Sequence, residues 1–86
     1  MIGQGDTGRL KKRQALHREI ELRFSMEEME GLIHDLGIDP DNIAGETKNE
    51  RIRELILYFI RRERPLTELI TALREQRPSV DWSLAE

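Results

Sequence analysis

Several groupings of side chains in this sequence have the makings of a chemical site. Gly3-Gln4-Gly5-Asp6-Thr7-Gly8 spells G-x-G-x-x-G, the spacing that lets a backbone approach a dinucleotide pyrophosphate. That chemistry needs a strand before the glycines and a βαβ unit around them, and the sequence offers neither. His17 and His34 are the only histidines, and their spacing makes no pair on one helix face, so Asp35 beside His34 does not complete a metal or acid–base set. Glu27, Glu28, Glu30, Asp35, Asp39 and Asp41 bring many carboxylates together. Without an apolar, concave setting to drive two carboxyl pKa values apart, they form a solvated acidic face rather than a general acid and base. Ser25 and Thr47 each stand three residues before a glutamate, which gives them capping work rather than a nucleophile's role. No catalytic residue, cofactor site or metal site is expected, and the chain is not expected to be an enzyme.

The cations form the other grouping, and they are segregated along the chain. Up to Ser25 the charged residues are mainly basic, with Arg9, Lys11, Lys12, Arg13, Arg18 and Arg23. Between Met26 and Glu50, Lys48 is the only cation among many acids, and then Arg51, Arg53, Arg61, Arg62, Arg64, Arg74 and Arg77 follow. Net charge is −3 although 36% of residues are charged, so placement carries more information than the sum. A charged face is ordinarily just solvated, and single surface charges add little stability. The segregation also fits a molecule with a basic and an acidic pole. The arginines of the segment 51–62 could instead meet phosphates in a small helical nucleic-acid-binding domain, an alternative that the acidic segment before them and the negative net charge oppose. A small hydrolase is a third, remote alternative.

These side chains must be positioned by helices, because apolar residues recur at helical spacing and no run alternates as a strand does. A first helix is expected from about Arg9 to Leu22 on Leu16 and Ile20. A second begins at the capping box Ser25–Glu28, with Phe24 and Met29 as a hydrophobic staple; it runs through Met29, Leu32, Ile33 and Leu36 to a stop at Gly37. Asp39 and Pro40 start one short turn that leaves Ile38 and Ile43 facing inward. Thr47 and Glu50 repeat the capping-box spacing before Ile52, Leu55, Ile56, Phe59 and Ile60. Pro65 opens a further helix on Leu66, Leu69, Ile70 and Leu73, which ends before Pro78; Val80 and Trp82 follow in a tail, with Trp82 covering a core edge.

Eighty-six residues make a single domain with one thin core, expected over 9–84 behind a flexible leader at 1–8. The absence of cysteine removes disulfides and thiolate metal sites and fits a reducing cytoplasm. No apolar run approaches the roughly 18 residues that a membrane span needs, so no membrane association is expected.

The stretches RFSMEEMEGLIHDLGID, IAGETKNERIRELILYFIRRE and LTELITALREQRPSVDW, in this order and spacing, resemble the bacterial death-like or effector-associated domains of the death-fold superfamily. The resemblance spans Leu16 to Trp82. It departs from the family pattern at Ala44, where a proline commonly precedes Gly-Glu, and at Pro65, where small or basic residues are more usual. It implies an all-α, antiparallel six-helix bundle of death-fold type, here with five clear helices and one short or irregular. The function it implies is homotypic adaptor binding in bacterial defence or signalling, with partners that are copies of itself or related domains fused to a protease, a NACHT-type ATPase, a TIR module or repeats. In death-fold assemblies the first and fourth helices of one copy meet the second and third of the next. On this chain those surfaces would offer Arg13, Arg18, Arg51, Arg53, Arg61 and Arg62 against Glu27, Glu28, Glu30, Asp35, Asp39 and Asp41. Such a head-to-tail contact propagates as an open oligomer or filament if it does not close.

Overall fold

The computed structural model describes residues 4–82, with side chains from residue 11 onward. It contains α1 (Gln4–Arg23), α2 (Met26–Asp35), a 3-10 turn (Pro40–Asn42), α3 (Lys48–Arg61) and α4 (Leu66–Gln76), and no strand among the described residues. The backbone of α1 is helical from Gln4, five residues before the start expected at Arg9 and through part of the segment 1–8 expected to be a leader. Residues 1–3, including the first glycine of the G-x-G-x-x-G spacing, and residues 83–84 of the expected domain lie outside the described residues.

The six-helix bundle with five clear helices is therefore corrected to four α-helices and one 3-10 turn. The reason is local. Asp39 accepts the Asp41 N–H at 3.0 Å and Pro40 sits at the first position, but the backbone is already extended at Ile43, so only one turn closes. Ile38 and Ile43, both buried, pull the two ends of this segment into the core before a second turn can form. After α4, Pro78 cannot continue the ladder, and the chain closes a turn with the Val80 N–H bonded to Arg77 O. No helix fits between Gln76 and the buried Trp82.

Both capping boxes form. Ser25 Oγ accepts the Glu28 N–H at 3.1 Å while Glu28 Oε1 accepts the Ser25 N–H at 2.9 Å. Thr47 and Glu50 exchange the same pair of bonds at the start of α3. Glu50 Oε1 also accepts the Glu46 N–H, at 3.1 Å, so one carboxylate closes the loop before the helix as well as its first turn. Gly37 ends α2 with φ at 72°, where the Ile38 N–H reaches back to Ile33 O. Glu63 holds the same position after α3 with φ at 55°, a left-handed conformation that costs a side-chain-bearing residue about 1–2 kcal/mol.

α3 is the centre of the packing. It touches α1, α2 and α4, and contributes Ile52, Leu55, Ile56 and Phe59 to the core. α1 supplies Leu16 and Ile20, α2 supplies Met29, Leu32 and Ile33, and α4 supplies Leu69, Ile70 and Leu73. No polar or charged residue among those described is buried, so the core is held by apolar burial alone, about 1.5–3 kcal/mol for each large side chain. Trp82 closes one edge: it is 1% exposed, its indole Nε1–H donates to Arg77 O at 3.1 Å, and its ring lies 6.4 Å from that of Phe24. Arg77 pins the same edge, with its guanidinium 4.9 Å from the Phe24 ring and paired with Glu28.

Two outcomes test this account. The backbone N–H bonds from Thr47 and Glu46, then the Thr47 hydroxyl, hold the Glu50 carboxyl below the usual carboxylate range. A depressed folded-state pKa contributes stability above the unfolded value and loses it as pH falls through the folded one. Denaturant unfolding across the acid range should show this loss, and Glu50→Gln should flatten it. At the helix ends, Gly37→Ala should destabilise by about 1–2 kcal/mol while Glu63→Gly stabilises by up to about 1 kcal/mol, measured by urea midpoints.

Candidate functional site

An open groove of about 400 Å³ lies between α1 and α3. α1 contributes Arg13, Gln14, His17, Arg18 and Glu21, which recur every three to four residues along one face. α3 contributes Arg53, Ile56, Leu57 and Ile60, again at helical spacing, so the floor is aliphatic and the rim charged. The two helices run antiparallel. Lys48 Nζ donates to Glu21 O at 2.9 Å, and His17 Nε2 and Asn49 Oδ1 lie 3.2 Å apart, which sews the start of α3 to the C-terminal half of α1. Ile56 is buried and Ile60 packs against the core from its edge. Leu57 is half-buried but stands outside the core cluster, so its side chain serves the groove.

The expected basic set is divided by the structure. Arg13, Arg18 and Arg53 come together on the groove rim. Arg13 and Arg18 have no anionic partner among the described residues, and Arg53 meets only its neighbour Glu54, at 3.8 Å. Arg61 and Arg62 lie elsewhere, at the end of α3, in a cleft of about 310 Å³ shared with Asn42, Glu54 and Tyr58. There Arg61 is 3.7 Å from Glu54, and Arg62 lies over the Tyr58 ring at 4.4 Å, so both have local employment. Arg51 joins the acids instead. Its Nη1 donates to Ile43 O at 3.2 Å, its Nε is buried with no hydrogen-bond partner, and the side chain shares a cleft with Glu30, Pro40 and Asp41. Arg9, on the expected basic face, lies outside the residues whose side chains are described.

The acidic set is divided too. Glu28 is taken by its cap and by Arg77, Asp35 accepts from Gln76 Nε2 at 2.8 Å, and Asp39 caps the 3-10 turn. Glu27 and Glu30 remain on the exposed side of α2, with Gly31 and His34, and have no cationic partner in an ion pair among the described residues. Asp41 is exposed beside Glu30. His34 and Asp35 approach only to 3.9 Å on the open surface, and no group of three or more His, Asp or Glu among the described residues could hold a metal ion. No helix of the described residues is long and apolar enough to cross a membrane.

A family profile for effector-associated domain 7 matches residues 16–78, which contain α2, the 3-10 turn, α3 and α4 entire, and α1 from the first buried leucine onward. The chain belongs to the effector-associated domain 7 family. No curated protein and no solved structure matches it significantly. Membership gives this effector-associated domain a protein-interaction role in effector proteins, and the matched segment includes the groove-lining residues His17 to Glu21 and Arg53 to Ile60, while Arg13 and Gln14 precede it.

Sequence reasoning missed Leu57 and Arg77. A signal for Leu57 existed: α3 is apolar at six successive positions, Leu55 to Ile60, more than one core stripe can absorb, so some of that surface had to face outward. For Arg77 there was none, because its partners Glu28 and Phe24 lie about fifty residues earlier. If Leu57 belongs to the groove and Ile56 to the core, Leu57→Asp should change the unfolding free energy by less than about 0.5 kcal/mol. Ile56→Ala should cost about 2–5 kcal/mol by the same measurement.

Proposed function

We propose that this effector-associated domain works as a homotypic adaptor: the basic α1/α3 rim of one copy docks on the acidic outer face of α2 in another copy or a related domain. One observation carries the reading. Among the charges with no ion-pair partner within the described residues, Arg13 and Arg18 outnumber Glu21 on the groove rim, and Glu27 and Glu30 share the exposed side of α2. Such faces speed encounter and fix orientation more than they add affinity, and their attraction is screened over about 8 Å at physiological salt. Each contact is therefore weak. Recruitment would depend on several copies being held together, because tethering raises the effective concentration of each face for the next. In this reading the domain does no chemistry of its own, and catalysis belongs to whatever effector is joined to or recruited by it. Ser25 and Thr47 are engaged as helix caps, in keeping with that division of labour.

Sedimentation tests the proposal directly. Self-association should fall as salt rises from about 50 to 500 mM, and both Arg13→Glu/Arg18→Glu and Glu27→Arg/Glu30→Arg should be monomeric where the parent associates. Mixing the two variants should restore assembly, since each reversed face then meets its complement. Arg61→Glu/Arg62→Glu should weaken association less than the rim reversal, because those arginines already have Glu54 and Tyr58 as partners. A rim-reversed variant that assembles like the parent would refute the contact.

A further inference from the structure

The acid–base contact just proposed leaves part of the groove unexplained. Its floor is aliphatic, made by Leu57 and Ile60 with the edge of the buried Ile56, all within one turn of α3. The acidic face of α2 cannot fill it, because the exposed residues of that helix are Glu27, Glu30, Gly31, His34 and Asp35, none of which carries an aliphatic side chain. A second copy docked by that face would satisfy the arginines and leave Leu57 and Ile60 in contact with water. Burying them is worth more than a solvent-exposed ion pair: about 25 cal/mol per Å² of apolar surface, against about 0–1 kcal/mol for the pair.

From this geometry we infer that the α1/α3 groove is a docking site for an acidic amphipathic helix from a partner protein, with aliphatic residues on one face and glutamate or aspartate flanking them. The aliphatic face is demanded by the floor, and an incoming helix meets it with residues at i and i+4, whose rise of about 6 Å equals that from Ile56 to Ile60. Its acidity follows from the rim, where the guanidiniums of Arg13 and Arg18, in no ion pair among the described residues, outnumber the one carboxylate of the lining, Glu21, while Arg53 is already beside Glu54. Gln14 and the half-buried His17 supply the remaining polar contacts on the α1 side. An apolar helix of neutral or basic character would leave the rim charges desolvated against nothing, so charge selects among helices and the floor supplies the affinity.

The test uses the domain carrying Glu27→Gln/Glu30→Gln, which keeps the groove intact and removes the acidic α2 face used in self-association without creating a basic one, so that the outcome does not depend on the homotypic reading. The probe is a capped helical peptide of about sixteen residues, long enough to be partly helical alone, with leucines at i and i+4 and glutamates beside them. Amide shifts of the isotopically labelled domain should saturate and cluster at Gln14, His17, Leu57 and Ile60. Leu57→Asp and Arg18→Glu should each weaken binding about tenfold or more while circular dichroism shows the fold unchanged. A peptide with lysine in place of glutamate should give no saturable shifts. No saturable shifts from the acidic peptide at millimolar concentration, shifts away from the groove, or equal binding of the lysine peptide would each overturn the inference. Loss of salt-dependent self-association in the parent with groove binding retained would sink only the homotypic contact.

Discussion

Almost everything in this small domain follows from the demand that α3 be covered on several sides at once. Its buried residues, Ile52, Leu55, Ile56 and Phe59, reach around enough of the helix to need α1, α2 and α4 together. A chain this short has no second layer to complete the task, and a domain of this size buries only about 60% of its unfolded surface. Among the residues of α1 whose side chains are described, only Leu16 and Ile20 are buried, and the groove opens over the part of α3 that they do not cover. The groove is thus a by-product of the fold's thinness, and it lies where the apolar surface of α3 outruns its cover.

The same thinness explains why the helix ends and connecting segments are tied down by polar and aromatic contacts. Arg77 reaches across to Glu28 and the Phe24 ring while its own carbonyl takes the Trp82 indole N–H, so one residue joins the end of α4 to the start of α2 and to the tail. Lys48 and Glu50 do comparable work at the other edge, the first by capturing the Glu21 carbonyl and the second by closing the loop that carries Gly45. Gly45 is needed there for space as well as for conformation. Its φ is 110°, and a Cβ would come within 2.7 Å of Glu50 Cβ. None of these charged groups is deeply buried, so each contributes by orienting a segment rather than through a large energy of its own.

Much of this was legible in the sequence, and the pattern of success is physical. Signals confined to a few neighbouring residues, such as Ser25 with Glu28, Thr47 with Glu50, Gly37 after Leu36 and the stripe Leu69, Ile70, Leu73, read correctly because their partners are close by. Helix number did not: the single turn expected between Ile38 and Ile43 formed with both isoleucines buried, but the six-helix count, which rested on the family resemblance, exceeded the four α-helices of the described residues. The pairing of charges was illegible as well. Arg51 and Arg53 are two residues apart and so point about 200° apart around α3, one toward the acidic cleft and the other onto the groove rim. Counting cations along the chain could not distinguish them.

That division of charge has a consequence for how specificity can be written on such a domain. Because no polar or charged residue among those described is buried as a whole, exchanging one exposed charge for another leaves the core untouched and alters stability by only about 0.5 kcal/mol in either direction. The charges not engaged in ion pairs, Arg13 and Arg18 on one surface and Glu27 and Glu30 on another, can therefore be tuned for recognition without endangering the fold. Glu28, Arg77 and Glu50 cannot, since each holds a helix start or a chain end. Folding and recognition are thus assigned to different members of the same residue types. A like charge placed opposite the rim would cost an unwanted partner more than a matched charge gains for the right one, which makes repulsion the stronger discriminator.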